Sequence, residues 1–533
     1  MNPFFQKAIS LAMAGAALLS LSACGAFSLS EEDVTELAQD DVQVVVGQSI
    51  GQELAATYAA DHIFSLNTVS EASFNPYMTS SAWNKVVGML VYETLVAEDD
   101  TFGAQPNLIT AWHTEDGLSW TFTVDTERKF HDGGDMTAAD AVYSIERAMG
   151  YNARYAARFR DVIGISANDR ESFAVTLRTP NYRFYELLNI PCVEYNTGYD
   201  DRPPGTGPYA FSASGRYLRL DENHPLAAQM PLETIHLKEY SAAVDILQAF
   251  EDSYIDLVIN DPTGMSSLGY SSTNIIKFVD TTSLHYIGYN MMSGVFGQSL
   301  YRSLVTYAID RASIVSDVMK GAATAATLPI HPNSALYPAD LAQTLVHSEA
   351  GLQTALQHLG GVDTDGDGKL EIMGQGYTFD FIVCSDSAMK VSAARAIARQ
   401  LRECGFDINL RELSYEEYEK ALEDGSFDLY YAEVRLCADW DLRPILGSGG
   451  DLNYGGLRDA TLDGYLQAAL ASPEEGQADS IAELCQYIAQ TAPITAICFE
   501  KSEVLYHRGV LSGLSPTQDN IFYQMQNWTV DLD

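Results

Sequence analysis

The stretch FHDGGDMTAADAVYSIERAMG, Phe130 to Gly150, gathers a histidine, three aspartates and two adjacent glycines around one helix start. A histidine beside a carboxylate can move protons or hold a metal ion, and glycines let the backbone come close to a ligand. His131 and Asp132 have no third partner nearby, however, and such a pair more often bonds to the exposed amides of a turn, here supplied by Gly133 and Gly134. The remainder reads as a helix. Thr137 is the N-cap, Asp140 reaches back to it as a short capping box, Ala141, Val142, Ile145 and Met149 form the apolar face, and Gly150 ends it.

A second candidate is GVDTDGDGKLEI, Gly361 to Ile372. Asp363, Asp365 and Asp367 precede Gly368 as in the first half of a calcium loop, and Glu371 offers another oxygen. Counted from Asp363, the twelfth position is Gly374 and not the bidentate glutamate such a loop needs, so a surface turn is expected. The cysteines Cys192, Cys384, Cys404, Cys437, Cys485 and Cys498 are scattered without a C-x-x-C pair. Settings such as FDFIVC and PITAICF suit buried thiols, with one or two disulfides left open. The ten histidines show no H-E-x-x-H spacing, and neither G-x-S-x-G nor a phosphate-binding G-x-x-x-x-G-K-[ST] occurs. The sequence therefore predicts no metal set, no cofactor and no enzyme.

The elements that would position these residues are mixed α/β. LSWTFTVD, Leu118 to Asp125, and SFAVTLRT, Ser172 to Thr179, alternate apolar and polar residues as half-buried strands do. YTFDFIVC, then SAARAIARQLRECG, then FDINLREL predict strand, helix and strand, with Gly405 stopping the helix. At 533 residues the chain exceeds one hydrophobic core, so two or three domains are expected. Its 72 acidic and 31 basic residues give a net charge of −41, which repels nucleic acid and excludes it as a partner.

The beginning of the chain carries an address. Lys7 precedes the apolar run Ala8 to Leu21, too short to span a bilayer, and then Ser22, Ala23, Cys24 and Gly25. This matches the lipobox of bacterial lipoproteins, in which the cysteine thiol is lipidated. Residues 1–23 are read as signal peptide, Cys24 as the lipidation site and membrane anchor, and 24–45 as an acidic spacer.

GMLVYETLVAEDD, PNLITAWHTEDGLSWTFTVD, RKFHDGGDMTAADAVYSIERA, GTGPYAF at Gly205 to Phe211, and SLVTYAIDRASIVSDVMKGAA from Ser303 resemble, in order and spacing, successive blocks of solute-binding protein family 5 of ABC transporters. These are the oligopeptide- and dipeptide-binding lipoproteins. The resemblance implies a periplasmic-binding-protein-like α/β fold of class II type, with two lobes, a hinge and an extra domain. On that scheme lobe I takes 46–74, 201–283 and 498–533, the extra domain 75–200, and lobe II 284–497. FHDGGDMTAADAVYSIERA becomes a fold signature of the extra domain. A peptide-like solute would be captured between the lobes by a monomer held outside the cytoplasm on the membrane, and handed to permease subunits. The ligand's ammonium would meet a carboxylate in EVRLCADWDLRPILGSGGDLNYGG, Glu433 to Gly456. The expected roles are Asp439 or Asp441 as cation partner, Trp440 as an apolar wall and Arg435 as a carboxylate partner, with Tyr454 and Asn453 as further wall and donor. The opposing expectation is that Arg435 pairs with an aspartate and Trp440 packs in the core. A sugar, metal chelate or haem as ligand, and a sensing lipoprotein without transport, fit the same scaffold.

Overall fold

The computed structural model describes residues 63–151, 153–262, 274–292, 294–359, 363, 365–372 and 375–532; the apolar run, Cys24 and the acidic spacer lie outside them. Ser119–Val124 alternates exposed and buried residues, turning Trp120, Phe122 and Val124 inward. It pairs antiparallel with Ile109–His113 and with Ser172–Leu177, which in turn pairs with Val162–Ala167. Phe122 stacks on Phe173 at 5.0 Å between ring centroids, and helix Ala138–Tyr151 lays Ala141, Ile145 and Ala148 on this small sheet. The helix does not stop at Gly150 as the sequence suggested. It runs to Tyr151 and a short helix, Ala153–Ala156, follows almost at once, so no left-handed glycine cap is required there.

The turn before this helix has a structural task. His131 donates its backbone N–H to the carbonyl of Gly205, and its Nε2 lies 2.8 Å from the carbonyl oxygen of Gly207. Asp132 accepts from the Gly134 amide, and Asp140 accepts from both the amide and the hydroxyl of Thr137. The turn thereby pins the small sheet to the GTGPYAF segment. Gly205 and Gly207 pass so close to the preceding helix, Ala82–Val91, that a Cβ would sit 2.1 Å from the Val91 carbonyl oxygen and 2.4 Å from that of Leu90.

The main sheet has eleven strands. In spatial order it runs Asp407–Leu413, Thr378–Cys384, Leu429–Arg435, Ile275–Tyr289, Ile494–Tyr506, Leu257–Asn260, Ser65–Thr68, Thr234–Glu239, Tyr217–Leu220 and Tyr209–Phe211, with Ala323–Ala325 added against Ile494–Tyr506. Thr378–Cys384, helix Ala388–Glu403 and Asp407–Leu413 form the expected parallel strand-helix-strand unit, with Gly405 at φ 90° behind the helix. The two long strands Ile275–Tyr289 and Ile494–Tyr506 belong to both halves. Between them the register breaks: Asp280 faces Lys501, and the next pair is Leu284 with Phe499, so Thr281 to Ser283 bulge opposite Glu500. Thr281 Oγ1 donates to the Glu500 carbonyl at 2.7 Å and Thr282 Oγ1 to the Leu436 carbonyl at 2.7 Å. A bulge held by hydroxyls is a joint where a strand can bend while its flanks stay paired. Among the described residues no helix is long and apolar enough to cross a membrane, and the six cysteines are free thiols.

Candidate functional site

Strand Leu429–Arg435 delivers the segment singled out in the sequence to this joint. The chain then turns. The Trp440 amide donates to the Cys437 carbonyl at 3.0 Å, and Trp440 adopts φ 57°, a left-handed conformation that a tryptophan takes only when its surroundings impose it. Its ring is buried, edge-on to Phe102 and Phe499, and its indole N–H has no hydrogen-bond partner among the described residues. Trp440 thus packs in a core with Phe102, Leu284 and Phe499.

The two aspartates beside it differ in their partners. Asp441 is gripped by Arg443, with Nε to Oδ1 at 2.8 Å and Nη2 to Oδ2 at 2.9 Å, and Arg443 also reaches Asp161 of the small-sheet domain at 2.7 Å. Asp439 is 2% exposed and accepts from Asn181 Nδ2 at 2.8 Å and from the Asp441 amide at 3.2 Å. No ion pair to Asp439 exists among the described residues. Burial, and then the neighbouring Asp441 charge, push its carboxyl up to about 6. The small-sheet domain closes over this loop further through Arg183, which donates to the Ala438 carbonyl and to Gln477, and through the Tyr182 amide on the Leu470 carbonyl.

Arg435, at the strand end, bonds Asp519 at 3.1 Å and Gln518 at 3.2 Å. Asp519 also accepts from Asn189 at 2.6 Å. Gln518 and Asn189 both donate to Glu98, whose carboxyl is pushed up to about 8 by burial and by the Asp519 charge. This network joins the end of strand Leu429–Arg435 to the chain's last segment and to Glu98 and Asn189. Beside it lies a cavity of about 370 Å³, lined by Tyr92, Glu93, Glu98, Asn189, Asp519 and Tyr523 among others. That is within the usual range for small-molecule sites. Asn453 uses its amide to brace the carbonyls of Gly447 and Leu457, and Tyr454 packs edge-on against Tyr430. Those two build the glycine-rich run, while Arg435, Asp439 and Asp441 lie where the parts of the molecule meet.

Asn181, Arg443, Glu98 and Asp519 carried no motif and were not singled out from the sequence. Only Arg443 had a readable signal, its position two residues after Asp441. The loop at Asp363 behaves as the expected turn, its carboxylate accepting from the amides of Gly366 and Gly368.

A profile of the bacterial extracellular solute-binding proteins, family 5 middle region, matches residues 103–439. The oligopeptide-binding protein AppA of Bacillus subtilis is 24% identical over 485 residues, spanning 85% of this chain and 88% of AppA. The nickel-binding periplasmic protein of Escherichia coli is 22% identical over 405 residues, spanning 70% and 75%. Among solved structures, the unliganded open form of the periplasmic murein tripeptide binding protein MppA superposes with a TM-score of 0.72 at 16% identity, over 88% of this chain and 97% of that one. The chain belongs to the bacterial extracellular solute-binding proteins, family 5.

Proposed function

We propose that the protein is the substrate-binding lipoprotein of an ABC importer and captures a peptide-like solute between its lobes. The observation that carries this reading is Asp439, a buried carboxylate without an ion-pair partner among the described residues, at the junction of lobe II and the small-sheet domain. A carboxylate in that position is stabilised by a cation brought in from outside, and a peptide ammonium is such a cation. Asp441 is the weaker candidate because Arg443 already covers both its oxygens. Arg435 would meet the ligand's carboxylate after exchanging it for Asp519.

Cys24 would carry the acyl anchor, placing the protein outside the cytoplasm beside its permease, and the sequence L-S-A-C supports that role. Mass spectrometry of solute released from the purified protein tests the ligand class. A peptide, or another amine-bearing acid, is expected. A neutral sugar would overturn the role given to Asp439. Cys24→Ala should release the protein from the membrane fraction or leave it unprocessed.

A further inference from the structure

On the lobe II side of the joint, three strands bring together side chains that are remote in sequence. His285 pairs directly across the sheet with Glu433, and strand Ile494–Tyr506 supplies Glu500 from 215 residues away. His285 Nε2 lies 3.3 Å from Glu500 Oε2 and 4.0 Å from Glu433 Oε2, and the three donor atoms all fall within 4.8 Å of one another. Nitrogen and oxygen donors held by one zinc ion at about 2.1 Å sit roughly 3–4 Å apart. The side chains are therefore already close to that spacing without any movement of the main chain.

The surroundings suit a cation in three respects. His285 is fully buried, which sets an imidazole nitrogen in a dry pocket beside two carboxylates. Its other nitrogen, Nδ1, lies 2.9 Å from the Tyr431 hydroxyl, the outer partner that fixes the orientation of a metal-bound imidazole. The two carboxylates lie with the Lys390 ammonium, which is 2.5 Å from Glu433, and Asp261 adds a further negative field. Glu433 and Lys390 are each about a quarter exposed, so an entry path exists on their side.

We propose that His285, Glu433 and Glu500 form a binding site for a first-row divalent transition-metal ion of the Zn²⁺ class, with Lys390 as the competing cation that vacates Glu433 when the metal enters. The mixed imidazole and carboxylate donors favour such an ion over Mg²⁺, which prefers oxygen alone. In the metal-free state His285 donates from Nε2 to Glu500 and accepts at Nδ1 from Tyr431. On binding, the proton resides on Nδ1 and Nε2 takes the metal.

The test is a titration of the tag-free full chain with Zn²⁺ against a chromophoric chelator, with Co²⁺ absorption as a readout of coordination. One equivalent should bind with Kd of about 10 μM or tighter. Glu433→Gln should weaken it by at least about thirtyfold, His285→Gln by more, and Lys390→Met should tighten it about tenfold. The opposite sign of the Lys390 variant separates a site from a merely structural cluster. It also keeps the test open if His285→Gln does not fold. Absence of binding below about 100 μM overturns the proposal. So does binding that Glu433→Gln and Lys390→Met leave unchanged, which would place the ion elsewhere. The result is read without solute, so it stands apart from the peptide reading.

Discussion

The aspartates on either side of Trp440 share one loop, yet among the described residues only Asp441 forms an ion pair. Asp439→Asn should weaken binding of the co-purified amine-bearing solute at least about thirtyfold, near 2 kcal/mol, with no fall in the melting temperature of the unliganded protein. Asp441→Asn should do the reverse, lowering that temperature by a few degrees, because Arg443 is left part-buried with Asp161 as its one remaining carboxylate among the described residues. Calorimetry and thermal melts on the two variants decide it, and equal effects would count against the assignment. A pH series gives an independent check. Protonation of Asp439 removes the partner of the ligand cation, so affinity should hold above about pH 6 and decline as pH falls through that value. The sequence located this loop, offered Asp439 or Asp441 as the cation partner, and set a binding role against a structural one for Arg435 and Trp440. The surroundings of these residues include Asn181, 258 residues from Asp439, and a core that closes around Trp440, and neither leaves a local trace.

Alternation in Ser119–Val124 and the strand-helix-strand run ending at Leu413 were legible because each is set by short-range periodicity. The FHDGG turn was legible as a turn, but its partner was not: it grips Gly205 and Gly207, more than seventy residues on. Those glycines are held by close approach to carbonyls and not by a left-handed angle. Gly207→Ala should therefore destabilise the protein by about 3 kcal/mol or more, since the atoms a methyl would meet are backbone and cannot rotate away. Urea unfolding measures it, and a loss under about 1 kcal/mol would contradict the close-contact account.

Across the whole molecule, polar contacts tie lobe II to the rest without any solute: Arg435 to Asp519, Arg443 to Asp161, and Asn181 to Asp439. Of these, the Arg435–Asp519 pair spans the two sides of the bulge at Thr281 to Ser283 and would be lost if the chain bent open there. Arg435→Ala should shift the unliganded population toward a more open form, seen as a longer mean distance between probes on the two lobes. An unchanged distance would assign Arg435 to the ligand alone. Membership of the family was visible in dispersed sequence blocks, whereas the wiring between lobes was not, because its members come from segments hundreds of residues apart.

The place of Ile494–Tyr506 in the main sheet also dictates an order of assembly. This strand lies between Ile275–Tyr289 and Leu257–Asn260, so neither half of the sheet is complete until residues 494–506 arrive. A chain that emerges amino end first, from a ribosome or through a membrane pore, carries most of its length as unfinished sheet with open edges. A fragment ending at residue 493 should show no cooperative melt in either lobe, while the antiparallel four-stranded unit, whose strands all lie within 109–177, retains its pairing partners.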